Sequence, residues 1–156
     1  MKTETISKAQ LLQYWQGQRS LTRRVIDAFP ESDLFNFTIG GMRPFSTMCA
    51  ELLAIPVPSL LSFTTGKIEA FDEIPKFTTK EEILKQWDED TMQINTLFNQ
   101  LSDAQFQQNF VLFGQYDLKI HQHLFYFIDN EIHHRGQAYV YLRALGIEPP
   151  YFWETF

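Results

Sequence analysis

The run Asn130-Glu131-Ile132-His133-His134-Arg135-Gly136-Gln137 holds two of the chain's four histidines beside an acid and an amide. Asn130 and His134 stand four residues apart, so a helix stacks them on one face, and Glu131 and His134, three apart, are also neighbours. Leu124, Phe127, Glu131, His134, Ala138, Tyr141 and Leu145 step by threes and fours, so the apolar stripe of this helix carries Glu131 and His134 inward. A buried charge without a partner costs several kcal/mol, and a metal ion is one partner that satisfies both groups. Glu51 is the third candidate. It sits between Met48 and Leu52-Leu53, an acid out of pattern in an apolar segment, and it could meet His134 across the core. Glu51, Asn130 and His134 together make an oxygen and nitrogen set of the kind that takes Zn²⁺, Ni²⁺, Fe²⁺ or Mn²⁺, with Asn as a neutral, weak ligand.

Each residue also has a plainer reading. His134 could be a satisfied core histidine, Glu51 could face solvent or pair with Arg135 or Arg43, and Asn130 could hydrogen-bond within the core. His121 and His123 fall on opposite helix faces, so at most one points inward, and a surface position is expected for each. His133 is one residue off the stripe and either supports the site or is exposed. Glu131-x-x-His134 is half of a ferritin-like di-iron motif, but the chain has no second Glu-x-x-His.

Four long helical stretches are predicted to position these residues. The first covers residues 7–29, opened by a Ser7/Gln10 capping box and closed by Pro30, with Gly17 weakening its middle. A loop follows over residues 31–42. The second starts at Pro44, is broken at Pro56 and Pro58, and runs on to residue 65 before Gly66. The third starts at the Thr79-Lys80-Glu81-Glu82 capping box, with Leu84, Trp87, Thr91, Ile94, Phe98 and Leu101 as its seam. Phe110 to Phe113 reads as a brief extended segment. The fourth helix covers residues 117–145 and ends at Gly146 before Pro149-Pro150. This pattern predicts a single all-α domain over residues 1–156, a four-helix bundle. The aromatic tail, residues 151–156, is expected to pack on the bundle or on a second subunit.

Composition narrows the classes further. Apolar residues make up 44% and aromatics 15%, with 15 phenylalanines, enough for a substantial core. Lys and Arg number 13 against 19 acids, a formal charge of −6, which disfavours a nucleic-acid surface. Arg19, Arg23 and Arg24 are expected on a solvated helix face. The single cysteine, Cys49, flanked by Met48 and Ala50, reads as a buried apolar residue in a reducing compartment. The polar first residues lack an apolar leader, and no run of 18 apolar residues suggests a membrane span; a cytoplasmic location is the default expectation.

His134-Arg135-Gly136-Gln137, followed by Ala138-Tyr139-Val140-Tyr141-Leu142-Arg143-Ala144-Leu145-Gly146-Ile147, resembles the terminal helix of DinB/YfiT-like proteins. Met42-Arg43-Pro44-Phe45-Ser46 resembles the start of their second helix. The resemblance implies an up-down-down-up four-helix bundle, often a homodimer, holding a divalent metal on three histidines. Some relatives are metal-dependent thiol transferases or isomerases acting with small thiols. The family's three histidines fall on Glu51, Asn130 and His134, so one of the three is a histidine here. Two functions stay open: a metal-dependent enzyme of the thiol-transferase type, and a non-catalytic stress-response or small-ligand-binding bundle in which the three residues form a hydrogen-bond network. DNA binding would follow only from the family's damage-inducible label, and the acidic composition argues against it.

Overall fold

The computed structural model describes residues 5–68 and 74–155; the chain start at residues 1–4 and Phe156 of the aromatic tail lie outside the described residues. Among the described residues, seven helices and one hairpin follow in order: α1 (Lys8–Ala28), α2 (Glu31–Asn36), α3 (Phe45–Ala54), α4 (Pro56–Thr65), α5 (Lys80–Gln100), α6 (Asp103–Phe106), β1 (Asn109–Leu112), β2 (Tyr116–Lys119) and α7 (Ile120–Ala144). The fold is an all-α four-helix bundle. Its members are α1, the α3–α4 pair, α5 and α7. α1 packs on α5 and α7, α3 on the same two, and α4 on α5.

Local chemistry sets the boundaries. Ser7 and Thr79 each accept from the backbone of the third helical residue, and Gln10 and Glu82 reach back to the caps, so the orphan N–H groups of both long helices are satisfied. Pro56 cannot continue α3 and opens α4. Gly146 adopts φ 75° just past α7, a left-handed conformation that costs glycine little.

Several elements differ from the sequence expectation. The 31–42 segment contains α2, which Pro30 opens and Glu31 and Asp33 support at its positive N-terminus. The fourth helix starts at Ile120 rather than residue 117, because residues 116–119 pair with 109–112. The register is Asn109 with Lys119 through Leu112 with Tyr116. Phe113 and Gly114 turn the hairpin with φ of 52° and 70°. In α5 the buried position is Ile83, with Leu84 partly covered.

Arg19 is the larger correction. It is 1% exposed, not solvated. Its Nε donates to Thr91 Oγ1 and its Nη2 to the Trp87 carbonyl, both at 3.0 Å, and the guanidinium lies over the Trp87 ring. Those partners on α5 satisfy a charge that periodicity alone would leave outside. Arg23 and Arg24 do sit at the surface, paired with Asp88 and Glu154.

Residues Phe45–Thr65 are apolar enough over an 18-residue window, at mean hydropathy 1.4, to pass as a membrane span by length and composition, which the sequence reading did not expect. More than half of that window is buried in the bundle. It belongs to the core, where Phe45, Met48, Cys49, Leu52 and Leu53 pack with Val25, Ile26 and Trp87. A second apolar cluster, centred on Trp15, Ile94, Phe98 and Phe127, fills the other end of the bundle.

Candidate functional site

Glu51 projects from the middle of α3, and Asn130 and His134 project from successive turns of α7, where α3 and α7 pack. The three side chains meet. Asn130 Nδ2 lies 3.4 Å from Glu51 Oε1, and His134 Nε2 lies 3.3 Å from the same oxygen. The other oxygen, Oε2, pairs with Arg43 Nη1 at 2.7 Å. His134 Nδ1 faces Gln137 Oε1 at 2.7 Å, an oxygen that can only accept, so this ring nitrogen carries the proton. Gln137 in turn donates to Met42 Sδ, and Tyr141 donates to the Arg43 carbonyl at 2.8 Å. The start of α3 is thereby tied to α7.

Burial alone would raise the Glu51 carboxyl. The Arg43 hydrogen bond and charge, the Asn130 hydrogen bond and the His134 charge together hold it below its ordinary 4.5. Of the two partners considered for Glu51 from the sequence, the structure selects Arg43. Arg135 turns inward instead, donating from Nη1 to the Gln18 carbonyl at 3.1 Å and to Thr22 Oγ1 at 3.0 Å.

Glu131 belongs to that second network. It is 2% exposed and accepts from Thr22 Oγ1 at 2.6 Å, with Arg135 Nη1 at 4.0 Å. Burial pushes its carboxyl above the ordinary value against the opposing charges of Arg19 and Arg135 and the Thr22 hydrogen bond. Glu131 is thus a structural acid between α1 and α7, away from Glu51. Cys49 is buried, and burial pushes its thiol well up, so it is a core residue and not a nucleophile. His133 is exposed beside His134.

His123 departs from the surface position expected of it. It is 2% exposed, bonds the Phe110 carbonyl through Nε2 at 2.9 Å and stacks on Phe63. The hairpin supplies that acceptor. His121, half-buried, bonds the Phe106 carbonyl through Nδ1 at 2.8 Å. The first turn of α7 therefore pins both ends of the α6–β1 segment.

A cavity of about 640 Å³ opens beside Glu51. Ile55, His123, Tyr126 and Phe127 line its bundle side, and Leu112, Phe113, Gln115, Tyr116 and Leu118 of the hairpin line the other, with Ile74 at the edge. Its volume is in the range of small-molecule sites. Burial, and then the Glu51 charge, push the Tyr126 phenol above its ordinary value. Tyr126 was missed from the sequence, although its spacing gave a signal: Tyr126, Asn130 and His134 share one helix face at i, i+4 and i+8.

A family model described as DinB family matches residues 60–156. The chain belongs to the DinB family. The match spans the helices and hairpin from Leu60 onward, so it includes Asn130 and His134 and stops short of Glu51. The solved structure of a DinB-like protein from Bacillus cereus is 23% identical, with 92% of this chain and 95% of that one covered at a TM-score of 0.73. A DinB-like protein from Bacillus subtilis is 16% identical, with 92% and 97% covered at a TM-score of 0.70. These likenesses support the DinB fold and assign no reaction. No curated protein matches the chain.

The donors present do not fit a three-imidazole metal centre. His134 is the one imidazole among them, Asn130 is a neutral amide, and one oxygen of the Glu51 carboxylate is already held by a guanidinium. Among the described residues, no group of three or more His, Cys, Asp or Glu side chains is placed to hold a metal.

Proposed function

We propose that this DinB-family chain is a non-catalytic small-ligand-binding bundle that works without a metal. The observation that carries this reading is the 2.7 Å pair between Arg43 and Glu51. It takes one oxygen of a carboxylate that a weak set of one imidazole and one amide would need in full to hold a divalent ion. The apolar cavity beside that pair supplies a ligand site, bounded by the bundle on one side and the hairpin on the other.

A rival reading, a divalent-metal enzyme acting on a thiol, draws on one feature. Separations of 3.3 and 3.4 Å between the donor atoms are close to the edge of a coordination tetrahedron with bonds of roughly 2.0–2.1 Å. One experiment separates the two. Protein purified without a His-tag is analysed for metal, then melted with and without Zn²⁺, Ni²⁺ and Mn²⁺. Binding to the folded state alone stabilises by RT ln(1 + [L]/Kd), about 2.7 kcal/mol at a hundredfold excess over Kd. We expect no bound metal and an unchanged melting temperature. About one ion per chain, or a melting rise that His134→Ala abolishes, overturns the proposal in favour of the rival.

A further inference from the structure

Among the described residues that line the cavity, Glu51 is the one carboxylate. Among the described residues, no lysine or arginine lines it. The two oxygens of Glu51 are unequally used. Oε2 is saturated by Arg43 at 2.7 Å, while Oε1 has only the 3.3 and 3.4 Å contacts to His134 and Asn130. Those are long for a hydrogen bond to a carboxylate, which runs at about 2.7–2.9 Å when the donor is charged. Oε1 therefore has room for one stronger donor.

The walls suit a cation with an apolar body. Tyr116, Tyr126, Phe113 and Phe127 line the same cavity as Glu51, and aromatic faces attract cations while their surfaces cover apolar groups. Phe113 is held at φ 52°, a rare conformation for a bulky residue, in the turn that brings the hairpin over the cavity. The net charge of −6 favours approach of a cation as well. Arg43 balances part of the Glu51 charge from Oε2, so the acceptor at Oε1 and the aromatic walls, rather than net charge, carry the preference for an ammonium.

We propose that the cavity binds a small aryl- or alkyl-amine, with its ammonium on Glu51 Oε1 and its apolar body between Phe127 and the hairpin residues Phe113 and Leu118. This rests on the ligand-binding reading above and adds the charge of the ligand to it.

The test uses three probes of one size and different charge: tryptamine, indole-3-ethanol and indole-3-acetate, titrated calorimetrically into the full chain at low salt. The amine is expected to bind about fivefold or more tighter than the alcohol, and the acid most weakly. Glu51→Gln is expected to bring the amine down to the level at which the alcohol binds the wild-type chain. Leu118→Lys sits on a partly exposed strand position and leaves the core untouched. It is expected to weaken the amine and strengthen the acid, which keeps the test decisive if Glu51→Gln folds poorly. Equal binding of amine and alcohol to the wild-type chain, or tightest binding of the acid, overturns the amine assignment while the ligand pocket stands. Failure of all three probes to bind overturns both the assignment and the pocket.

Discussion

Glu51 stands between a guanidinium on one oxygen and two longer contacts on the other, and this asymmetry decides how it titrates. Its folded-state pKa is depressed, so it stabilises the fold above its unfolded value and loses that contribution as pH falls through the folded one. Glu131 and Asp90 carry the opposite sign, since burial raises both. Their contribution is present below the unfolded value and lost as pH rises through the folded value. An acid titration of the wild-type chain mixes these signs, so the informative quantity is the difference from Glu51→Gln. Urea unfolding from pH 7 to pH 3 is expected to show the variant less stable at pH 7 and converging on wild type as Glu51 protonates. Arg43 is 43% exposed, so the pair contributes no more than about 1 kcal/mol. A constant difference across this range would mean that Glu51 acts through packing rather than charge.

Polar groups within the core also tie α1, α5 and α7 together. The Arg19 guanidinium bonds α5 at Trp87 and Thr91, and the Trp87 indole donates back to the Arg19 carbonyl at 3.1 Å. Arg19 also offsets the Glu131 charge. Removing one member of a buried charged set leaves the rest uncompensated, at a cost of about 3–5 kcal/mol. Arg19→Met is therefore expected to lose that much in urea unfolding, against about 1 kcal/mol for Thr79→Ala at the α5 cap. Similar losses for the two would show that α1 and α5 do not depend on the clasp. The contrast also explains what could be read from the sequence. The caps at Ser7 and Thr79 depend on residues three positions apart, so they were legible, as were the stripe through His134 and the convergence of Glu51 on it. The burial of Arg19 and His123 depends on acceptors supplied by other elements, the Trp87 carbonyl and the Phe110 carbonyl. No local pattern reports such acceptors. The first strand was legible as the extended run Phe110 to Phe113, but its partner escaped for a related reason: a few residues of extended chain carry little periodicity, and pairing with residues 116–119 shortens a helix that the stripe alone would begin earlier.

At the scale of the whole chain, the tail closes over α1 by backbone rather than by its aromatic side chains. Tyr151, Phe152 and Trp153 are each more than half exposed, whereas the Thr155 carbonyl comes so close to Gly17 that an added Cβ would lie 2.0 Å from its oxygen. Gly17, which the sequence marks as a weak point in α1, is the residue whose missing side chain admits the tail. Gly17→Ala sets two effects against each other. The helix gains roughly 0.5–1 kcal/mol of propensity, and the tail loses its seat together with the exposed Arg24–Glu154 pair, which contributes about 1 kcal/mol or less. Global stability should therefore shift by less than about 1 kcal/mol, while the tail itself should respond strongly. Chymotrypsin is expected to trim Gly17→Ala after Tyr151 to Trp153 several-fold faster than wild type, well before the bundle is cut. In a chain ending at Pro150 the clash is gone, and the same substitution is expected to be purely stabilising by the propensity term. The difference between the two backgrounds measures the coupling of tail to α1. Equal effects of Gly17→Ala with and without the tail, and unchanged trimming, would mean that the tail does not rest on this helix.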